Sequence, residues 1–206
     1  MKLAVVLALA AGGGAYYWST LEAPVPVRVR PVAMDEVRPL NMAVTEWTTV
    51  PAVSGARAGA AGRTITLHKA SMELTDYRVE FVGTVEYKAL GWACRIEDPG
   101  NYYAAKLVRN AAAKAPLTLV RWRVVNGEAG PETVLPLEIR LPSNEQYTVT
   151  VEVKGDQIMT SLQGKVIDRY TDSTFTKGGF GYLNQNNERG KILVTTIGML
   201  RKTVQP

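Results

Sequence analysis

The stretch Val151–Leu183, VEVKGDQIMTSLQGKVIDRYTDSTFTKGGFGYL, decides the fold. It reads as a strand, a tight turn at Lys154–Gln157, a second strand, a turn at Gln163–Lys165, a third strand, and a glycine-rich return at Gly178, Gly179 and Gly181. Apolar residues recur at every second position before the first turn, which is the period of a half-buried strand and not of a helix.

The same period extends outward in both directions. Tyr77, Val79, Phe81, Gly83 and Val85 alternate with Arg78, Glu80, Val82, Thr84 and Glu86, and Tyr147, Val149, Val151 and Val153 alternate with Thr148, Thr150, Glu152 and Lys154. Turn signals separate the runs: DPGN at Asp98–Asn101, NGEAGP at Asn126–Pro131, and NNERG at Asn186–Gly190. About ten strands at hairpin spacing make a two-sheet antiparallel sandwich. The alanine-rich segment Leu107–Pro116 reads as a loop, because a strand runs into it and Pro116 ends it.

Before the sandwich stand two segments of different character. Leu3 to Trp18 are sixteen uncharged, mostly apolar residues behind Lys2, closed by Tyr16, Tyr17 and Trp18. A cleaved signal peptide fits the short basic start and the small residues Gly13–Ala15. A retained anchor fits the aromatic trio, since Tyr and Trp rings settle at the membrane–water interface. Sixteen helical residues reach only about 24 Å, so the expected span is extended to Leu21. The anchor is the favoured expectation, with the N-terminus cytoplasmic and the sandwich on the periplasmic or extracellular side. Ala23–Asn41 then carries Pro24, Pro26, Pro31 and Pro39, which no helix tolerates, and reads as a stiff tether with edge-strand character. The expected division is therefore 1–22 anchor, 23–45 tether and 46–206 sandwich.

Composition removes several chemistries. The 206 residues hold one cysteine, Cys94, and one histidine, His68, so neither a disulfide nor a multi-histidine metal site forms within the chain, and no cofactor is expected. Cys94 reads as a packed thiol, and His68, near a strand end, as a surface or locally hydrogen-bonded ring. The 24 basic against 19 acidic residues give +5, but the basic residues are scattered, which argues against a nucleic-acid surface. Glu97 and Asp98 fall at a turn and do not face each other as a hydrolytic pair does. Glu73/Asp76 and Asp168/Asp172 are the thin candidates for Ca²⁺.

From Tyr147 to Leu183 the chain resembles the C-terminal half of the laminin-G-like and concanavalin A-like jelly rolls, nearest to bacterial 3-keto-disaccharide hydrolase-type domains. Tyr147, Val149, Val151, Gly155, Gly164, Gly178, Gly179 and Gly181 carry the likeness, and Gly91–Val108 matches the family's central strands. The resemblance implies a jelly roll over about residues 63–200 and raises carbohydrate or protein recognition as its task. The three glycines of the return read as positions of positive φ or close packing.

The expectation is thus an all-β, two-sheet antiparallel jelly-roll sandwich with a single N-terminal transmembrane helix. Its expected function is that of a non-catalytic accessory subunit of a membrane protein complex, with electron-transfer and photosynthetic complexes as candidates. Tyr16, Tyr17 and Trp18 would meet the lipid bilayer, and Val25, Val27, Arg28, Val29, Arg30 and Arg38 would bind the partner subunits. The alternative is a carbohydrate-binding or glycoside-cleaving periplasmic domain. In that reading Tyr102 and Tyr103, just after the DPGN turn, form an exposed platform for a saccharide, and Trp47, Trp92, Trp122, Tyr170 and Tyr182 are further stacking candidates.

Overall fold

The computed structural model describes residues 36–52, 63–109, 116–139, 145–184 and 188–201. Its strands, in chain order, are β1 (Glu36–Pro39), β2 (Trp47–Pro51), β3 (Thr64–His68), β4 (Tyr77–Tyr87), β5 (Ala89–Asp98), β6 (Asn101–Val108) and β7 (Thr118–Val125). They continue as β8 (Glu128–Ala129), β9 (Thr133–Pro136), β10 (Tyr147–Lys154), β11 (Gln157–Leu162), β12 (Lys165–Thr171), β13 (Gly179–Asn184) and β14 (Arg189–Arg201). Two single-turn 3₁₀ segments, Val44–Glu46 and Lys69–Ser71, are the only helical elements among the described residues.

These strands form two antiparallel sheets. The six-stranded sheet runs β1-β14-β4-β10-β11-β12, and the eight-stranded sheet runs β2-β3-β13-β5-β6-β7-β8 with β9 also paired to β7. The non-sequential order, with β14 and β13 inserted beside early strands, is that of a jelly-roll sandwich and not a meander. The expected hairpin of the opening stretch is present: Val153 pairs with Ile158, and Ile158 with Tyr170. Asn126–Gly127 and Gln163–Gly164 both turn through two residues at positive φ, the geometry that matches strand twist in a tight hairpin. The edge-strand character of the tether holds for Glu36–Pro39, which pairs with β14.

The core lies between the sheets. Tyr77, Val79, Phe81 and Val85 of β4 and Tyr147, Val149, Val151 and Val153 of β10 meet Leu90, Trp92, Cys94, Tyr103, Leu107, Leu119 and Phe180 from the eight-stranded sheet. Phe81 touches Trp92, Phe180 and Tyr182 at ring-centroid distances of 5.6, 6.0 and 5.4 Å, and Trp47 stacks on Tyr182 at 5.4 Å. Burial of each such side chain contributes about 1.5–3 kcal/mol. Alternation sends their neighbours to the other side of the eight-stranded sheet, where Ile65, Ala93, Ile96, Tyr102, Ala104, Val120, Trp122 and Val124 form a second buried cluster.

That second cluster corrects one expectation. Tyr102 and Tyr103 lie in β6 and not in a loop, and they are 0% and 2% exposed, so neither ring face is open to a sugar. Trp92 and Tyr182 belong to the core as well, and Trp122 to the outer cluster.

The glycine return has two physical roles. Gly178 has φ +130°, and a Cβ there would lie 2.6 Å from the Ile96 carbonyl oxygen, while Gly179 and Gly181 would place a Cβ 2.7 Å from Met72 Sδ and 2.8 Å from the Thr66 carbonyl oxygen. The expected apolar span 3–21, its rings Tyr16, Tyr17 and Trp18, and the tether residues Val25, Val27, Arg28, Val29 and Arg30 lie outside the described residues. Among the described residues no helix is long and apolar enough to cross a membrane. Arg38 is described, exposed in β1 opposite Met199.

Candidate functional site

At one margin of the sandwich, β12 is the last strand of its sheet and β7 carries β8 and β9. Between β7 and β12 opens a cleft of about 160 Å³, bordered by Tyr103, Arg121, Arg123, Pro131, Thr133, Tyr170 and Asp172. Its chemistry follows from alternation. Asp168, Tyr170 and Asp172 are spaced by two along β12 and its continuation and so share one face, as do Arg121 and Arg123 on β7. Two arginines from one sheet therefore meet two aspartates and a tyrosine from the other.

Arg121 sets its guanidinium carbon 4.0 Å from the centre of the Tyr170 ring, a cation–π arrangement, with Nε 3.0 Å from Asp168 Oδ2. The ion pair is close, yet the N–H does not point at the carboxylate, so the buried Nε has no hydrogen-bond acceptor among the described residues. Burial raises the Asp168 carboxyl above its ordinary value, and Arg121 offsets only part of that.

The second pair is more fully bonded. Arg123 Nη1 donates to Asp172 Oδ2 at 2.8 Å and to Thr174 Oγ1 at 2.6 Å. Asp172 Oδ1 accepts from the Tyr103 hydroxyl at 2.8 Å and from the Thr174 backbone N–H at 2.9 Å. Burial raises the Asp172 carboxyl, but the bonds from Thr174 and Tyr103 and the charge of Arg123 outweigh it and hold the group below its ordinary value. The Tyr103 hydroxyl also accepts the Phe175 N–H, and burial pushes its phenol up to about 12, so it stays a neutral donor. Tyr103 thus borders the cleft with its oxygen and not with its ring face.

The other sequence candidates are placed apart from this cleft. Cys94 is buried as expected. His68 is fully buried, not on the surface, because Nε2 donates to the Asn41 carbonyl at 2.8 Å while Trp47 packs edge-on at 5.0 Å. Asp98 caps its own turn through the Gly100 N–H at 2.7 Å. Glu73 pairs with Lys177, and Asp76 accepts the Gly155 N–H at 2.8 Å. Among the described residues no three His, Cys, Asp or Glu side chains gather as a metal site. The sequence signals that mark the cleft are the tripeptide RWR at Arg121–Arg123 and the DRYTD run at Asp168–Asp172, each read at period two.

No protein-family model matches the sequence, and no curated protein is similar to it in sequence. Solved structures do share the fold. The carbohydrate binding module CBM66 from Bacillus subtilis superposes with a TM-score of 0.57 at 20% identity, over 74% of this chain and 95% of that one. The Caenorhabditis elegans galectin LEC-6 reaches 0.49 at 11% identity, over 77% and 99%, and sheep galectin-11, solved with glycerol, 0.48 at 10%, over 61% and 92%. At the level of fold the chain is similar to concanavalin A-like jelly rolls.

Proposed function

We propose that the protein is a non-catalytic saccharide-binding module whose ligand occupies the cleft between β7 and β12. One observation carries this reading: the Arg121 guanidinium, stacked on the Tyr170 ring, stands at the wall of a small open cleft that the Asp172 carboxylate also borders. A sugar presents hydroxyls that both give and accept hydrogen bonds, and a site of convergent donors and acceptors on a rigid sheet suits it. One structural relative, a carbohydrate binding module, agrees with this reading.

Hydrolysis fits the cleft less well. Glycosidases place two carboxyl groups on opposite sides of the scissile bond, whereas Asp168 and Asp172 sit on one face of one strand and each faces an arginine. The accessory-subunit reading depends on residues 3–38, nearly all outside the described residues, and no described feature supports it.

The test is a titration of the full chain against a panel of oligosaccharides, followed by calorimetry or by amide chemical shifts. Binding that Tyr170→Ala weakens tenfold or more, with the fold intact by circular dichroism, supports the module. A folded protein that binds no saccharide in the panel sinks it.

A further inference from the structure

Away from the cleft, where the end of β4 meets the start of β14, three large apolar side chains stand exposed together: Tyr87, Leu193 and Val194. Two bulges put them there. Tyr77, Val79, Phe81 and Val85 of β4 face the core, so unbroken alternation would send Tyr87 inward as well. Glu86 intervenes as an extra residue, because Val85 lies opposite Gly190 while Tyr87 lies opposite Arg189. The shift turns Tyr87 to the outer face of the six-stranded sheet, where it is 47% exposed. On β14, Ile192 lies opposite Gly83 and Val194 opposite Val82, which leaves Leu193 as the extra residue. Leu193 and Val194 therefore share the outer face, 39% and 61% exposed.

Cations frame this patch. Lys88 Nζ and the Arg189 guanidinium carbon lie 5.2 and 5.7 Å from the centre of the Tyr87 ring, and Lys191, opposite Thr84, stands between the two bulges. Glu86 is the one acid in residues 82–88 and 189–194, and the adjacent Glu188 is held by Lys106 at 2.9 Å. A protein interface buries about 1,000 Å² or more and is depleted in lysine, so three apolar side chains ringed by two lysines and an arginine suit one poorly. A bilayer surface asks for less. Aliphatic tips enter the headgroup boundary, a tyrosine ring rests at it, and cations on long stems reach the phosphates. Only an anionic surface makes use of the positive balance.

We propose that this corner of the six-stranded sheet rests on an anionic lipid surface, with Leu193 and Val194 entering the headgroup boundary and Lys88, Arg189 and Lys191 meeting the phosphates. The proposal is independent of the saccharide reading, whose cleft lies at the β12 edge of the same sheet.

The experiment uses the full chain with bicelles of phosphatidylcholine alone or mixed with phosphatidylglycerol, each carrying a trace of nitroxide-headed lipid. The readout is paramagnetic broadening of individual amide signals, which reports where the sandwich touches lipid whatever else the chain does at the membrane. On the anionic bicelles, Tyr87, Leu193 and Val194 should broaden several-fold more than Val134 and Val166, exposed apolar residues of β9 and β12. Raising salt from about 0.1 to about 1 M shortens the screening length from about 10 to about 3 Å and should remove the difference. Lys191→Glu should lower the affinity of the patch for anionic bicelles about fivefold or more. The salt series needs no variant and stays readable if Lys191→Glu folds poorly. Broadening that is absent at the three residues, equal at Val134 and Val166, or unchanged between neutral and anionic bicelles overturns the proposal. Shifts at the same amides that grow with chain concentration in the absence of lipid overturn it in favour of a second copy of the chain.

Discussion

Two arginines, Arg95 and Arg121, stand at opposite extremes of the same sandwich. Arg95 sits at a bulge in β5 with φ +50° and is 1% exposed. Its Nη1 donates to the Thr176 carbonyl and its Nη2 to the Gly155 carbonyl, with Asp76 Oδ1 3.9 Å away, and its own N–H donates to the Tyr77 hydroxyl at 2.8 Å. It ties β5, the β10–β11 turn and the loop before β13 into one unit. Arg121 is joined to its surroundings by a ring face and an off-axis carboxylate. A buried cation held by backbone carbonyls is a fastening, whereas Arg121 borders an open cleft and its Nε has no hydrogen-bond acceptor among the described residues. The loop after β12 serves both, since Asp172 walls the cleft and Thr174 bonds its Arg123, while Thr176 holds Arg95.

Breaking the fastening has the largest expected effect. Arg95→Met removes two charge-assisted bonds of a side chain that is 1% exposed and should lower unfolding stability by about 3 kcal/mol, read from the denaturant midpoint. An unchanged midpoint would show that the clamp is ornamental. Gly178→Ala attacks the same region through the backbone, since it combines positive φ with a Cβ pressed on Ile96, and should cost about 2–3 kcal/mol. Gly155→Ala is its control, being at φ +58° with open space around the added methyl, and should cost about 1 kcal/mol.

On the cleft side the effects are smaller and differ in sign. Asp172 has a folded-state carboxyl held below its ordinary value, so it contributes stability above that ordinary value and loses it as pH falls through the lowered one. Asp172→Asn should therefore cost about 2 kcal/mol near neutrality and nothing in acid, by denaturant titration at two pH values. Asp168 has a raised carboxyl, so its ionisation in the fold opposes stability as pH rises from the ordinary value through the raised one. Arg121→Met leaves the buried Asp168 carboxyl without its cation, so it should cost about 2 kcal/mol near neutrality, less in acid where the carboxyl is protonated, while weakening the binding predicted for the cleft. A large loss of stability there would make Arg121 a second fastening and remove the contrast.

The strands were legible because β4 and β10 obey one-sided burial, polar out and apolar in. The eight-stranded sheet breaks that rule. Both of its faces are buried around β5 and β6, so GWAC and NYYAA show no alternation, and the tyrosines after a turn look like loop residues. On β7 the pattern is inverted: Trp122 faces the outer cluster while Arg121 and Arg123 face inward across the gap between the sheets. A reading that sends charge to solvent puts these arginines on the wrong side. Nothing local to Arg121 announces Asp168, because the pairing is made by two sheets meeting and not by spacing along the chain.

Cys94 lies beside both regions, close to Tyr77 of the clamp and to Tyr170 under Arg121. It is 4% exposed, and burial pushes its thiol up to about 12 against a small opposing pull from Arg95. A disulfide or alkylating reagent in neutral buffer therefore meets almost no thiolate while the chain is closed. As the chain's sole sulfhydryl it is a ready-made clock for transient opening: the rate of modification at a set reagent concentration counts excursions in which the sheets part. A ligand seated on the far side of Tyr170 should slow that clock in proportion to its occupancy, so mass spectrometry of one labelled cysteine can report saccharide binding without an attached probe.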